Sequence, residues 1–195
     1  MLILLPPSEG KTAPRSGAPL DLDALALADD AAVTGARASV LVFSALFGAT
    51  ALADRIPAFR LPVGAKLPGL PGLAAHWRPV LTPALDALAA RDGGPVVDCR
   101  SGGYAAQWRA PAERTLAVDV FQLRDGQRTV VSHFAKHTRG LVARALLEAG
   151  ARETSTLDRV ADVVARAGDG PGWEVELARP SGAKPGALRV ILPEG

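Results

Sequence analysis

Three stretches of the sequence share one plan: a short apolar run that empties into a polar loop carrying a cation. Leu2–Leu5 leads into Ser8-Glu9-Gly10-Lys11-Thr12, and Val96-Val97 into Asp98-Cys99-Arg100-Ser101-Gly102-Gly103-Tyr104. Residues 129–131 lead into Ser132-His133-Phe134-Ala135-Lys136. If the apolar runs are strands of one sheet pointing the same way, their loops meet along one edge, where open α/β sheets bind ligands. Glycines there permit close approach, backbone N–H groups point outward, and Lys11, Arg100 and Lys136 bring positive charge. That is chemistry for phosphate or carboxylate, and the three cations are expected to face a common cleft.

The third loop opens the clearest helix of the chain, spanning residues 134–149. Lys136 and Arg139 are three residues apart, on one face, and Arg144 lies further along. Cations in the first turns oppose the helix dipole, so something negative should compensate them. His133 and His137 stand at the i, i+4 spacing of a metal pair. The zinc-protease pattern would need Glu where Phe134 stands, and no nearby carboxylate or cysteine completes a ligand set, so neither metal nor cofactor is expected. Gly10-Lys11-Thr12 is not a phosphate-binding P-loop: Leu5 occupies the place of its first glycine, and Pro6 and Pro7 remove backbone donors. Ser8 or Ser101 could join His133 and Asp98 in a triad, but no nucleophile elbow supports one. Cys99 beside Arg100 reads as a packed strand-end residue, dispensable for folding and for nucleic-acid binding, rather than as an activated thiolate.

The rest of the chain must position these loops. It has 195 residues, 48% of them hydrophobic, enough for one ordinary domain with its own core. The N-terminus lacks the pattern of a signal peptide, no apolar stretch is long enough for a bilayer span, and one cysteine excludes an internal disulfide. The expectation is a soluble cytoplasmic protein without a membrane partner. Net charge is only +2, yet between Arg100 and Arg144 eight basic residues face three acids, so an anionic partner is sought there first.

Residues 39–47 fit either strand or helix. Residues 21–32 read as a short helix, and 57–79 as Pro- and Gly-punctuated loops. A helix over 79–91 would bury Val80, Leu81, Ala84, Leu85 and Leu88. Residues 115–123 and 127–132 flank Arg124-Asp125-Gly126 as a hairpin. Gly150 ends the helix begun at 134, a second helix over 154–166 is capped by Thr154 or Ser155, and residues 173–178 and 187–192 close the domain as strands. The sum is a mixed α/β fold, a single compact domain with a central sheet and helices around it.

Five motifs in order resemble the YaaA peroxide-stress protein family, most closely its actinobacterial branch. They are the stretch from Met1 to Thr12 with Pro-Pro-Ser-Glu-Gly-Lys, Asp54-Arg-Ile-Pro-Ala-Phe-Arg-Leu61, Leu67-Pro-Gly-Leu-Pro-Gly-Leu-Ala74 with Trp77, Asp98–Tyr104, and Ser132-His-Phe-Ala-Lys-His-Thr-Arg-Gly140. The resemblance implies an unusual α/β fold with a helix-hairpin-helix element. It also implies a cytoplasmic protein that binds DNA through a positive cleft, and limits free iron and oxidative DNA damage under peroxide. Positions matching the family's motifs are Ser8, Glu9, Lys11, Arg55, Arg60, Arg100, Ser101, Tyr104, Lys136 and Arg139. His133 joins them as a DNA- or anion-binding candidate from its place at the helix start. The family's segment corresponding to residues 21–38 is much longer, with a Tyr-Thr-Gly motif of which this chain keeps at most Val33-Thr34-Gly35. Against DNA stands a second reading, an enzyme for a small anionic metabolite or nucleotide bound where the loops at 8–12, 98–104 and 132–139 converge.

Overall fold

The computed structural model describes residues 1–7, 30–57, 59–130, 135–168 and 172–194. Ser8, Glu9, Lys11 and His133 lie outside the described residues, as does most of the helix expected over 21–32.

Leu2–Leu5 forms β1, a continuous apolar run of the kind that a strand covered on both faces requires. Parallel to it on one side lies β2 (Val40–Ser44), which makes the centre of the ambiguous 39–47 stretch a strand, and on the other β4 (Val96–Asp98). Beyond β4 come β5 (Thr115–Arg124) and β8 (Gly186–Leu192), both parallel. Antiparallel strands close the two ends, β3 (Gly48–Ala51) beside β2 and β7 (Glu174–Ala178) beside β8. The sheet order is β3-β2-β1-β4-β5-β8-β7, with β6 (Gln127–Val130) paired to β5 off this path. The fold is mixed α/β, one eight-stranded sheet with helices around it, as the sequence indicates.

The hairpin turn between β5 and β6 is the two-residue type that the sequence announces. Asp125 and Gly126 both have positive φ, 50° and 70°, which matches the twist of the flanking strands. As the hairpin requires, β6 runs antiparallel to β5, so the condition that all three loop-bearing strands point the same way is not met. β8 holds the other edge of β5 as far as Gln122, so β6 takes the edge left free beyond the end of β4. Its chain therefore heads back toward the C-terminal end of β4.

Two helices place the point where strand order reverses. α1 (Asp30–Ser39) joins β1 to β2 and packs Ala36 into the core on one face. α2 (Leu73–Asp92) joins β3 to β4 and buries Leu73, Leu81, Leu85 and Ala89 on the opposite face. The chain thus winds outward from β1 in both directions, and the switch point lies between the C-terminal ends of β1 and β4. Those ends carry two of the three loops picked out from the sequence.

Two boundaries differ from the sequence reading, each for a local reason. α2 begins at Leu73 and carries Pro79 and Pro83 inside it. Both prolines face solvent, where the carbonyls they leave unpaired reach water. An i, i+4 ridge through Leu73, Trp77, Leu81 and Leu85 fixes the helix from the core side, so Val80 is 58% exposed instead of buried. Within α4 (Ala135–Glu153) Gly150 has non-helical φ 76° and ψ 174° and ends the first helical segment, as the sequence indicates. α5 (Leu157–Gly168) is capped by Thr156, whose hydroxyl accepts the Arg159 N–H at 3.3 Å, and not by Thr154 or Ser155. Thr154 is buried and donates its hydroxyl to the Gly150 carbonyl. Val33-Thr34-Gly35 sits within α1.

α4 and α5 pack Val142, Leu146, Val160 and Val164 on the same face as α1, over Val97, Leu116, Val118 and Leu188. Leu4, Phe43, Val96, Tyr104 and Trp108 form the second cluster beneath α2. No helix among the described residues is long and apolar enough to cross a membrane.

Candidate nucleic-acid interface

After β4 the backbone alternation sends Cys99 to the α4 side of the sheet and Arg100 to the α2 side. Arg100 is 5% exposed. Its Nε and Nη2 donate to the two carboxylate oxygens of Asp98, at 2.9 and 2.7 Å. Nη2 also donates to the Trp108 carbonyl at 2.9 Å, and the guanidinium lies over the Phe43 ring, 4.2 Å from its centroid. Planar, forked donors suit this bidentate and stacked site, which a lysine could not fill. The Arg100 charge is spent inside the fold, tying the end of β4 to the next segment of chain.

That segment is the short helix α3 (Gly102–Ala105), with Ser101, Gly102 and Gly103 exposed and Tyr104 buried among the α2-side residues. Gly103 is required by a close approach: a Cβ there would stand 2.6 Å from Val63 Cγ1. This contact lays the loop from Arg60 to Lys66, whose two end residues are exposed, against the Ser101–Gly103 turn. Gln107 extends the anchoring, donating its side-chain amide to the Ser44 carbonyl at the end of β2. Arg55 is exposed on the segment after β3.

α4 enters at the same edge from the other face. The Cys99 thiol lies 4.0 Å from the Arg139 carbonyl, and the Arg139 guanidinium donates twice to the Val118 carbonyl, at 3.0 and 2.9 Å. Lys136, one turn earlier, is exposed. The edge thus brings together the Ser101 turn, the Arg60 loop and the start of α4. Arg100 and Tyr104 serve the core beneath α2, so Arg100 and Lys136 do not present their charges side by side as expected.

The basic excess between Arg100 and Arg144 is largely consumed in the same manner. Arg128 makes a two-pronged pair with Glu176, at 2.9 and 2.7 Å, which raises the arginine's pKa and lowers the glutamate's. Arg144 pairs with Glu148 one helical turn on, and Arg114 donates to the Gly94 carbonyl. Arg109, Arg124 and Lys136 remain as exposed cations without an ion pair among the described residues. Sequence pattern does not single out Arg109, Lys66 or Lys184, because each stands alone in a loop whose neighbours are set only by tertiary packing.

Cys99 is fully buried, and burial, reinforced by the Asp98 charge, pushes its thiol from 9.0 up to about 12. A raised pKa keeps the thiol protonated in the fold. Its contribution to stability is therefore complete below about pH 9 and is lost as pH climbs toward 12, where the unfolded chain holds fewer protons. At pH 8 a disulfide reagent should leave native Cys99 unmodified while labelling the urea-unfolded chain fully. Rapid labelling of the native protein would show that the thiol is accessible after all. Among the described residues no three His, Cys, Asp or Glu side chains group as metal ligands.

A family model described as peroxide stress protein YaaA matches residues 19–163. A UPF0246 protein of Streptomyces coelicolor is 43% identical over 178 residues, covering 88% of this chain but 65% of that relative. One from Corynebacterium efficiens is 33% identical over 234 residues, covering 86% of this chain and 93% of the relative. Another, from Cereibacter sphaeroides, is 32% identical over 155 residues, covering 77% of this chain and 58% of the relative. The model match spans most of the chain and includes the α3 turn, the Arg60 loop and the start of α4, so the chain belongs to the YaaA peroxide stress protein family.

Proposed function

We propose that this protein acts in the cytoplasm during peroxide stress by binding DNA through phosphate contacts at the C-terminal edge of its sheet. The observation that carries the reading is the contrast in how cations are used. Arg100 and Arg139 are bonded inward and Arg128 and Arg144 are held in surface pairs, whereas Arg60, Lys66 and Lys136 are exposed with no ion pair among the described residues. Exposed, unconsumed cations at a switch-point edge are suited to a polyanion, and phosphate neutralisation with counterion release supplies the affinity. DNA covered in this way is shielded from oxidants. Limitation of free iron is carried by the family resemblance.

The reading has a quantitative signature. Lys136→Ala should weaken binding to unrelated duplex sequences alike, because phosphate contacts carry no base identity. Its log–log salt dependence should become shallower by about 0.9, the value for one lost phosphate contact on duplex DNA. An unchanged slope and affinity would remove Lys136 from the interface.

A further inference from the structure

On the α2 side of the sheet, the chain between α3 and β5 and the turn between β7 and β8 border an open cavity of about 800 Å³. That volume falls within the roughly 300–1,000 Å³ typical of small-molecule sites. Its walls are mostly apolar, including Ala105, Ala110, Ala183 and Pro185, and three cations line it: Arg100, already bonded to Asp98, Arg109 from one wall and Lys184 from the other. Asp98 also borders the cavity, but both its oxygens are engaged by Arg100, so it offers an approaching anion little repulsion. The β7–β8 turn that carries Lys184 is held by reciprocal backbone hydrogen bonds between Ser181 and Lys184, both 3.0 Å.

We propose that this cavity binds a small organic phosphate monoester, with the phosphate between Arg109 and Lys184 and the organic body against the alanine and proline walls. Two facing cations match a phosphate monoester, which approaches two negative charges at neutral pH, better than a monocarboxylate, which would leave one of them uncompensated. Arg109 supplies a forked pair of donors and Lys184 a mobile point charge. The apolar walls give the ligand's body a surface from which water is displaced. The site adjoins the proposed DNA edge at Gly102 but uses different cations: neither Arg109 nor Lys184 belongs to the set formed by Arg60, Lys66 and Lys136.

Adenosine monophosphate, adenosine and inorganic phosphate, each titrated into the full chain by calorimetry, test the proposal. The nucleotide should bind saturably, more tightly than inorganic phosphate, and adenosine should not bind saturably. Lys184→Ala should weaken the nucleotide at least tenfold. Ala183→Phe, at an exposed position on the turn, should block it without altering charge, and should leave duplex DNA affinity unchanged. The proposal is overturned by absence of saturable nucleotide binding, by adenosine binding as tightly as its phosphate, or by nucleotide affinity within twofold of the parent in both variants. It is also overturned if Ala183→Phe lowers duplex affinity as much as nucleotide affinity, which would make the cavity part of the DNA surface. Loss of DNA binding in Lys136→Ala with nucleotide binding intact keeps the two sites distinct.

Discussion

Arg100→Ala should lower the folding free energy by about 3–5 kcal/mol, because it leaves the Asp98 carboxylate partly buried without its partner. The side chain of Arg100 is 1% exposed and that of Asp98 13%, so water screens the pair little. The same substitution removes the contact over Phe43 and leaves the Trp108 carbonyl without its donor. Removing both charges together, as Arg100→Met with Asp98→Asn, should cost less than the single change, since no unpaired charge then stays behind. Equilibrium urea unfolding checks the order of the two variants. A loss under about 1 kcal/mol for Arg100→Ala would mean that the guanidinium is available to a ligand and the Asp98 pair is dispensable. The prediction separates a residue that builds the edge from those that would use it.

Much of the scaffold could be read directly. The apolar run Leu2–Leu5, the Asp125-Gly126 turn and the stretch ending at Asp98 each carry a local signal strong enough to fix an element. Where reading failed, tertiary contacts overrode local chemistry. Prolines and glycines mark residues 57–79 as broken, yet the helix starts at Leu73 and continues through Pro79. Trp77 helps to hold it there, donating its indole N–H to the Ala45 carbonyl at 2.8 Å.

The candidate site was legible in outline and not in use of charge. Sequence spacing places Arg100, Lys136 and Arg139 near one another, and the edge does gather their backbone segments. It cannot say which guanidinium turns inward, because that depends on strand alternation and on carbonyls supplied by Val118 and Trp108, distant in sequence or hidden by the α3 turn. The count of cations between Arg100 and Arg144 therefore overstated the charge offered to a partner. Loops such as the one bearing Lys66 and the turn bearing Lys184 contributed cations that no local pattern marks.

The most direct test of the account is a duplex-DNA binding titration across salt concentrations with two matched variants. One combines Arg60→Ala, Lys66→Ala and Lys136→Ala; the other combines Arg128→Ala and Arg144→Ala, cations already paired with Glu176 and Glu148. If the exposed set neutralises three phosphates, the triple variant's log–log slope should become shallower by about 2.5–3, with affinity at about 0.1 M salt lowered roughly 10²- to 10³-fold. The paired-cation variant should keep nearly the parent slope. An unchanged slope in the triple variant, or an equal loss in the paired-cation variant, would contradict the claim that the switch-point edge holds DNA.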